Sequence, residues 1–542
     1  MGSVGEALVK ELERREVQCI FGIPGVHTIE LYRGLAGSTL RHITPRHEQG
    51  AGFMADGYAR VSGKPGVAFV ITGPGLTNTI TAMLQARADS VPMLVVCGAN
   101  EASSLGKGWG HLHEMPNQSA LAAEVASISK RINRADDLLP ALDKIFTSFQ
   151  TDRPSPALIE IPLDVAGILY IASVFNETAP KPVAVDASQL MSAKQLLEDA
   201  TAPVIIIGGG ARHSEQSIQA LAEALDAPVV QTTNARGVMH QHELTVPASP
   251  SLSSVRALIE AADVVLALGT ELGQTDFDMF ATGSILSMKP LIRVDCSAEQ
   301  LDAHPADLTI QGDVGDITSA LLNAIIGQAS TNTTSQKQGN EHSKGSARAN
   351  ATKRAAWDEI GDAMQNASTF LTALQKAVPN AILVGDSTQP IYAGNLYYDH
   401  DRVGGWFNAA TGFGALGYGI PAAIGASIAD PDARVICITG DGGAQFSLPE
   451  IMTAVDEHLP IVFLIWNNHG YQEIATSMQA VEIEVVGCNP TPPDFSAMAK
   501  AFGVPYWSCS TESESVQQAL IAACEVMGPT IVDVTAPNLS LT

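Results

Sequence analysis

ARVICITGDGG, at residues 433–443, is a short apolar run that ends in a glycine-rich turn around Asp441. A second apolar run, IVFLIWNN at 461–468, ends in two asparagines, the second of which is Asn468. Continuous apolar runs of this length, bounded by Gly and Asn, are typical of strands buried in a parallel sheet. The carboxyl ends of neighbouring parallel strands meet at one edge of a sheet, where ligands of open α/β sheets bind. We therefore predict a ligand site that contains Asp441 and Asn468.

The residue types at these strand ends favour a hard divalent cation. A carboxylate, a side-chain amide and a backbone carbonyl are oxygen donors that suit Mg²⁺, with phosphate oxygens and water completing the coordination. The glycines on both sides of Asp441 allow the backbone to approach a diphosphate closely. A Gly-Asp-Gly turn by itself is a common loop without a function. Because the next strand ends in two asparagines, we favour a cation site over an ordinary loop.

The same alternation of apolar runs and helical patterns extends over the whole chain. Its 542 residues are too many for one ordinary domain. We predict an α/β fold of three consecutive doubly wound parallel-sheet domains at residues 1–180, 186–330 and 353–542. Residues 331–352 are polar and have the composition of a flexible linker.

Composition limits the partners. The net charge of −26 would repel nucleic acids and anionic membrane surfaces, so we expect neither as a partner and expect a small-molecule substrate instead. The seven cysteines are scattered without a C-x-x-C pair. Charged residues occupy the start of the chain, where a signal peptide needs an apolar run. These features predict a protein of the reducing cytoplasm.

The motif around Asp441 resembles the signature of thiamine diphosphate enzymes. Here the signature is Ile424-Gly425, five residues, Pro431, four residues and then ICITGDGG at 436–443. The resemblance covers nearly the whole chain. It implies a pyrimidine-binding domain, a middle Rossmann-like domain and a diphosphate-binding domain, in that order. It also implies that Asp441, Asn468 and the carbonyl of Gly470 bind Mg²⁺.

A segment of the first domain resembles the pyrimidine-binding part of the same family. RHEQGAGFMADGYAR, at residues 46–60, places Glu48 at the position of the glutamate that hydrogen-bonds N1′ of the aminopyrimidine. In the family that contact favours the imino tautomer, which takes the proton from the thiazolium C2. Taken alone, Glu48 would be an ordinary carboxylate at the start of a helix.

The resemblance implies further contacts to the cofactor. The carbonyl of Gly414 would receive the 4′-amino group, and Leu416 would hold the cofactor bent, although a plain core role for Leu416 stays an alternative. The other implied cofactor contacts are Pro24, Pro74, Asn78, Thr388, Gln389, Gly440, Gly442, Gly443 and Tyr471. The family builds each site from two subunits, so we expect at least a dimer and favour a tetramer.

The cofactor motifs do not indicate what reacts with the substrate carbon that has lost CO₂: a proton, a second carbonyl compound or an oxidant. Candidate residues beside the substrate are His113, Gln472 and Glu473. Pyruvate decarboxylases have an adjacent His-His pair that is absent here and a glutamate where this chain has Ile474. Acetolactate synthases have a glutamine at the position that His113 resembles.

The combined segments look most like those of 5-guanidino-2-oxopentanoate decarboxylases, enzymes of arginine catabolism that form 4-guanidinobutanal and CO₂. A guanidinium needs a carboxylate partner, and Glu473, Glu482 and Glu484 are the candidates. For Glu482 and Glu484 we favour the alternative that their side chains simply face solvent. The alternatives are an acetolactate synthase-type carboligase acting on pyruvate and, less favoured, a cofactor-binding scaffold without activity. FAD is possible in the middle domain, but no motif supports it.

Overall fold

The computed structural model describes residues 2–171, 184–278, 287–288, 290–329 and 344–537, without the side chains of 328 and 329. Three six-stranded sheets with helices between their strands confirm the predicted α/β class. Every strand pair with a defined register in these sheets is parallel. In the part of the chain that is described, no helix is long and apolar enough to cross a membrane.

The first sheet belongs to the amino-terminal part of the chain. Its strands are β2 (Cys19–Gly22), β3 (Arg41–Ile43), β4 (Gly66–Val70), β5 (Met93–Ala99), β6 (Ile128–Arg131) and β7 (Ala157–Pro162). Two short strands, β1 (Gly2–Ser3) and β8 (Leu169–Tyr170), form a separate antiparallel pair. The helices between them are α1 (Val4–Arg14), α2 (Ile29–Leu35), α3 (Glu48–Ser62), α4 (Pro74–Ala88), α5 (Gln118–Val125), α6 (Leu138–Thr151) and α7 (Leu163–Ala166).

The second sheet lies in the middle of the chain. Its strands are β9 (Val204–Ile207), β10 (Val229–Gln231), β11 (Thr245–Val246), β12 (Val265–Leu268), β13 (Leu291–Asp295) and β14 (Leu308–Gln311). The helices of this part are α8 (Ala187–Asp199), α9 (Glu215–Leu225), α10 (Ser253–Glu260), α11 (Gln274–Phe277), α12 (Ala298–Ala303), α13 (Val314–Ala329) and α14 (Lys344–Ala377), the last interrupted at Gly361.

The third sheet contains the predicted metal-binding strands. Its strands are β15 (Ile382–Gly385), β16 (Trp406–Asn408), β17 (Val435–Gly440), β18 (Ile461–Asn467), β19 (Tyr506–Ser510) and β20 (Thr530–Thr535). Its helices are α15 (Gln389–Leu396), α16 (Gly419–Ala429), α17 (Asp441–Ala444), α18 (Ile451–Asp456), α19 (Gln472–Ala480), α20 (Phe495–Phe502) and α21 (Ser513–Cys524).

The first and third sheets have the same topology. Their strand orders are β3-β2-β4-β5-β7-β6 and β16-β15-β17-β18-β20-β19, which are the same permutation of six consecutive strands. The middle sheet has the order β11-β10-β9-β12-β13-β14, that of a dinucleotide-binding Rossmann domain. The first and third sheets are therefore built alike, and the sheet between them in the chain is different.

The chain divides into two compact units. One contains Met1–Pro180, Ala381–Thr388 and Asn408–Thr542, and the other contains Lys181–Asn380 and Gln389–Phe407. The first and third sheets therefore belong largely to one unit. The third domain was expected to begin at residue 353, whereas residues before Ala381 cluster with the middle unit.

Part of the segment predicted to be a linker is helical. Residues 331–343 lie outside the described residues, and helix α14 begins at Lys344, so the prediction of a flexible linker is wrong for residues 344–352. Alanine is the strongest helix former, and the buried Ala349 and Ala356 belong to an apolar cluster of the middle unit. These small side chains give the helix an apolar face, although the composition of the segment as a whole is polar.

Helices α3 and α16 pack closely because glycines replace side chains at their contact. A Cβ atom on Gly57 would lie 2.0 Å from the carbonyl oxygen of Ala422, and one on Gly425 would lie 1.9 Å from that of Met54. Both distances are far below any real contact. The backbone of α3, which begins with Glu48, therefore lies directly against the third-sheet part of the same unit.

A buried ion network completes this contact. Arg60 donates to Asp56 Oδ1 (2.6 Å) and to Asp89 Oδ2 (2.7 Å), and both ion pairs are almost fully buried. The hydroxyl of Tyr418 donates to Asp56 Oδ1 (2.5 Å), and that of Thr411 donates to Asp89 Oδ2 (2.8 Å). One arginine thus links α3 and α4 to the segment that precedes α16.

We expect Arg60→Met to lower the stability of this unit by about 3–5 kcal/mol, because it leaves two buried carboxylates without their cation. Thermal unfolding followed by circular dichroism measures the effect. The matched control is Arg33→Met, which removes an exposed ion pair with Glu30 and should leave the melting temperature close to that of the wild type. Equal melting temperatures for both variants would show that the network does not stabilise the unit.

Candidate active site

The two predicted strand ends lie side by side. β17 and β18 are adjacent and in register, with Gly440 opposite Trp466. Asp441 begins α17 directly after β17, and Asn468 is the first residue after β18. Both side chains are more than nine-tenths buried. The sheet therefore brings together the residues that the sequence pattern placed at one edge.

Three polar groups converge at this edge. The side-chain amide of Asn468 ends 3.0 Å from the carbonyl oxygen of Gly470 and 3.2 Å from Asp441 Oδ1. With its nitrogen on that side the amide donates a hydrogen bond to both oxygens, and with its oxygen on that side the three groups present three oxygens to a cation. In octahedral Mg²⁺ coordination with bonds of about 2.1 Å, neighbouring ligands lie about 3 Å apart. The spacing fits Mg²⁺.

A second oxygen of Asp441 supports the same interpretation. Turning the Asn468 amide over would satisfy Gly470 and Asp441 Oδ1 with hydrogen bonds. It would still leave Asp441 Oδ2, which is buried and has no hydrogen-bond partner. Burial also raises the pKa of this carboxyl. A bound cation would favour the ionised carboxylate and satisfy both oxygens.

The donor set differs from that of most protein metal sites. Among the described residues, no three His, Cys, Asp or Glu side chains form a cluster that could hold a metal ion. The three protein groups are one carboxylate, one amide and one carbonyl. A divalent cation bound to them would need another ligand to fill its remaining coordination positions and to balance its remaining positive charge. Phosphate oxygens supply both.

Glycines shape the backbone around the three oxygens. Gly470 has φ of +142°, and a Cβ there would lie 2.4 Å from the carbonyl oxygen of Cys488. The backbone amide of Tyr471 donates to that same oxygen at 2.8 Å. The Tyr471 ring in turn lies against Gly442, whose Cβ would be 2.5 Å from the ring. A larger residue at Gly470 or Gly442 would displace the turn that presents the Gly470 carbonyl.

A buried aspartate that the sequence analysis did not assign to the site holds the neighbouring loop. Asp386 Oδ2 accepts the amides of Gly417 (3.0 Å) and Gly419 (3.1 Å), and burial raises its pKa to about 6. Gly414 has φ of +76° and lies exposed in this loop, and Leu416 is half-buried and not part of the core. A purely structural core role for Leu416 therefore has little support.

Glu48 is the first residue of α3 and is half-buried. Its Oε2 accepts the side-chain amide of Asn78 at 3.0 Å, so two residues implied by the family resemblance contact each other. The preceding residue, His47, caps the helix by accepting the amide of Gln49 at 3.1 Å. A carboxylate in the first turn of a helix interacts favourably with the helix dipole.

The structure places His113 against a residue that the sequence analysis did not single out. The rings of His27 and His113 are in edge-to-face contact, with centroids 5.3 Å apart. His27 Nε2 lies 2.9 Å from Asn100 Oδ1. His27 and Asn100 each follow a strand of the first sheet. Their positions after strand ends are the sequence feature from which they could have been predicted.

The remaining predicted residues occupy loops and helix starts of the same unit, except one. Pro24 and Pro74 are exposed, and Thr388 is buried with Oγ1 near Gly440. Gln472 and Glu473 begin α19; Gln472 is buried, whereas Glu473 is exposed. Gln389 begins α15 and belongs to the middle unit.

Comparison with known proteins agrees with this geometry. Residues 2–121 match the thiamine pyrophosphate enzyme N-terminal TPP binding domain, 190–321 match the central domain, and 384–534 match the C-terminal TPP binding domain. The chain belongs to the thiamine pyrophosphate enzyme family. The C-terminal match includes all three converging oxygens, and the N-terminal match includes Glu48, Asn78, His27 and His113.

Similar thiamine pyrophosphate enzymes carry two kinds of name. The chain is 39% identical over 507 residues, covering 92% of it and 88% of the relative, to the "Probable 2-ketoarginine decarboxylase AruI" of Pseudomonas aeruginosa. It is 27% identical to the acetolactate synthase isozyme 1 large subunit of Escherichia coli, over 95% of the chain and 90% of that protein. It is 30% identical to the acetolactate synthase large subunit of Corynebacterium glutamicum, over 85% and 74%.

We expect Asp441→Ala to weaken Mg²⁺-dependent binding of thiamine diphosphate by at least about 100-fold, because residues that merely orient a metal ligand already contribute 10–100-fold. Calorimetric titration of the metal-depleted protein, with and without added Mg²⁺, measures this. Asp432→Ala is the matched control: it removes an exposed carboxylate from the turn before β17 and should bind as the wild type does. Unchanged affinity in Asp441→Ala would remove this residue from the metal site.

Proposed function

We propose that this thiamine pyrophosphate enzyme decarboxylates a 2-oxo acid, with Mg²⁺ bound by Asp441, Asn468 and the Gly470 carbonyl. The convergence of these three oxygens is the observation that carries the proposal, because it fits the metal that joins a diphosphate to the protein. Thiamine diphosphate supplies the electron-accepting group that lets a carboxylate leave as CO₂. No role for a flavin is proposed.

The protein's own residues would position the cofactor and move protons. Glu48, oriented by Asn78, would accept the hydrogen bond of the aminopyrimidine. Gly440, Gly442 and Gly443 would allow the diphosphate to lie against the backbone. The exposed carbonyl of Gly414 would face the aminopyrimidine, and half-buried Leu416 would lie under the cofactor.

Loops around both halves of the site expose large apolar side chains. Trp109 is 63% exposed, Leu112 61%, Phe413 47%, Phe446 57% and Ile474 52%. Apolar side chains of this size, exposed next to functional residues, support coverage by another protein surface. We therefore propose a homo-oligomer, at least a dimer and by family resemblance a tetramer, in which Glu48 of one subunit meets the metal site of another.

For the substrate we propose 5-guanidino-2-oxopentanoate, which would yield 4-guanidinobutanal and CO₂. A relative named for 2-ketoarginine decarboxylation is 39% identical over nearly the whole chain. Glu473 lies at the start of α19, four residues after the turn of the metal site begins at His469. Although the Glu473 side chain is exposed, desolvation by neighbouring protein raises the pKa of its carboxyl. A guanidinium would satisfy such a carboxylate.

The acetolactate synthase relatives support a second candidate, a carboligase that joins two 2-oxo acids. The two functions share the loss of CO₂ and differ in the product. A decarboxylase releases one aldehyde for each CO₂, whereas a carboligase acting on pyruvate releases one CO₂ for two substrate molecules and forms no aldehyde.

We expect Glu473→Gln to lower kcat/KM for the guanidino 2-oxo acid about 10- to 150-fold, since a charge-assisted hydrogen bond contributes about 1.5–3 kcal/mol. A 2-oxo acid of similar length with a neutral tail should lose much less. Release of CO₂, measured with both substrates at matched concentrations, gives the comparison.

The matched control is Glu482→Gln, which changes an exposed carboxylate just beyond the end of α19 and should leave both substrates unaffected. Equal losses on both substrates in Glu473→Gln would assign Glu473 to proton transfer instead of tail recognition. Wild-type turnover of pyruvate to a carboligation product, without turnover of the guanidino acid, would contradict the proposed substrate and favour the second candidate.

A further inference from the structure

Glu450 is a buried carboxylate that lies against the start of helix α3. It ends the short turn Leu448–Glu450 before α18 and is only 1% exposed. Its Oε1 accepts the backbone amides of Arg46 and His47, each at 3.0 Å, and the amide of Arg46 also lies 3.0 Å from Oε2. These two amides belong to the residues directly before Glu48. A carboxylate from the carboxy-terminal part of the chain therefore holds the backbone that leads into Glu48.

Gly50 provides the space for this carboxylate. A Cβ atom on Gly50 would lie 2.2 Å from Glu450 Oε1 and 2.7 Å from Glu450 Cδ. Real Cβ atoms do not approach other heavy atoms this closely, so a larger residue at this position would displace the carboxylate. Gly50 lies in the first turn of α3, which begins with Glu48. The Glu450 carboxylate thus packs directly against the helix turn that carries Glu48.

The second oxygen of the carboxylate is fixed by helix α18. The hydroxyl of Thr453, in this helix, donates to Glu450 Oε2 at 2.9 Å. The side chain of Arg46 is also held, because its Nη2 donates to Asp456 Oδ2 at 2.5 Å and its Nη1 donates to the carbonyl of Thr44 at 2.9 Å. The backbone and the side chain of Arg46 are therefore both bound to α18 and the residue before it.

The contacts of Glu450 fit an ionised carboxylate. Burial raises the pKa of this carboxyl, whereas hydrogen bonds from the Arg46 amide, the Thr453 hydroxyl and the His47 amide lower it. In each of these hydrogen bonds a carboxylate oxygen is the acceptor. A protonated carboxyl would have a hydrogen to donate where these partners are themselves donors. The carboxylate is therefore placed to accept hydrogen bonds from the backbone before Glu48.

The direction of the Glu48 side chain depends on that backbone. His47 is extended, with φ of −149° and ψ of 146°, and Glu48 is the first helical residue, so the chain changes direction between them. Asn78 contacts the far end of the Glu48 side chain, at 3.0 Å from Oε2. The near end is set by the two residues that Glu450 holds. Displacement of a catalytic group by about 1 Å can cost about 100-fold in rate, so these hydrogen bonds bear on the chemistry.

We propose that Glu450 is a positioning residue for Glu48: it holds the amides of Arg46 and His47 and so aims the Glu48 carboxylate at the aminopyrimidine. This inference rests on the role given to Glu48 in the proposed function. Glu450 acts through the position of its oxygens, and it neither gives nor takes a proton.

Glu450 also belongs to the segment that begins with Asp441. Consecutive hydrogen-bonded turns join the two residues, and in the last of them the Glu450 amide donates to the carbonyl of Ser447 at 2.9 Å. A change at Glu450 that displaced Asp441 would reduce the gain in cofactor affinity that Mg²⁺ produces. Calorimetric titration with and without Mg²⁺ therefore separates an effect on Asp441 from an effect on Glu48.

Two variants separate the position of the carboxylate from its charge. Glu450→Asp keeps the charge but is shorter by one methylene, so its oxygens withdraw from the two amides. Glu450→Gln loses the charge but keeps the length and one accepting oxygen, and its nitrogen can donate to the hydroxyl oxygen of Thr453. If position matters, Glu450→Asp should be the defective variant and Glu450→Gln should resemble the wild type.

Amide hydrogen–deuterium exchange of the full chain without cofactor gives the first readout. In Glu450→Asp, the amides of Arg46 and His47 should exchange at least about 10-fold faster, the size of a lost hydrogen bond to a charged group. In Glu450→Gln they should exchange almost as in the wild type. The matched control is Glu457→Asp, which shortens the carboxylate that pairs with Arg41 just beyond α18 and should leave both amides unchanged.

The holoenzyme gives the second readout without any substrate. The measured quantity is the rate at which the C2 proton of bound thiamine diphosphate exchanges with deuterium, followed by proton nuclear magnetic resonance after an acid quench. Glu450→Asp should slow this exchange about 10- to 100-fold, the cost of a misplaced catalytic group. Glu450→Gln and Glu457→Asp should match the wild type, and Mg²⁺ should raise cofactor affinity equally in all three variants.

Wild-type rates of amide exchange or of C2 exchange in a folded Glu450→Asp variant would overturn the proposal. Slow C2 exchange in Glu450→Gln with a normal rate in Glu450→Asp would also overturn it, because charge and not position would then matter. A lost effect of Mg²⁺ in Glu450→Asp would assign the defect to Asp441 instead. If Glu450→Asp does not fold, Gly50→Ala replaces it with the same expected changes, because its methyl group would displace the same carboxylate.

Failure of the proposed function gives a different result. Unchanged C2 exchange in Glu48→Gln would overturn the role of Glu48, and wild-type protein that releases no CO₂ from any 2-oxo acid would overturn the proposed decarboxylation. Neither result depends on Glu450. In both cases amide exchange in Glu450→Asp would still show whether Glu450 holds the backbone before Glu48.

Discussion

The convergence of Asp441, Asn468 and the Gly470 carbonyl at one edge of the third sheet is the constraint on which the site depends. The Asn468 amide lies 3.0 Å from the Gly470 carbonyl oxygen and 3.2 Å from Asp441 Oδ1, and Asp441 Oδ2 is buried without a hydrogen-bond partner. The parallel register of β17 and β18 and the glycine at 470 maintain this spacing. A divalent cation bound here would satisfy both Asp441 oxygens, and a diphosphate would complete its coordination.

The remainder of the unit fixes side chains around that constraint. Asp386 holds the loop that contains Gly414, and the Arg60 network ties this loop region to helix α3, which begins with Glu48. Glycines at the contact of α3 and α16 let the helices approach closely. The strand ends that carry Asp441 and Asn468 and the helix that begins with Glu48 therefore belong to one compact unit of the chain.

The sequence was informative where function depends on local pattern. Asp441 and Asn468 follow apolar strands, so the period of the strands and the glycine turn were enough to place them together. His27 was missed because its contacts with Asn100 and His113 depend on which strands neighbour each other and on the path of a long loop. Residues 344–352 were predicted to be a linker because alanines that pack in a core do not stand out in a polar stretch of sequence.

We expect a divalent metal bound by Asp441, Asn468 and the Gly470 carbonyl also to bind the diphosphate of thiamine. Replacement of Mg²⁺ by Mn²⁺ and pulsed electron paramagnetic resonance of the holoenzyme test this most directly, because phosphorus bound through oxygen to Mn²⁺ gives a measurable ³¹P coupling. The expected result is one Mn²⁺ per chain with ³¹P coupling that disappears when thiamine replaces thiamine diphosphate. Tight cofactor binding without metal, or bound Mn²⁺ without ³¹P coupling, would contradict a shared site.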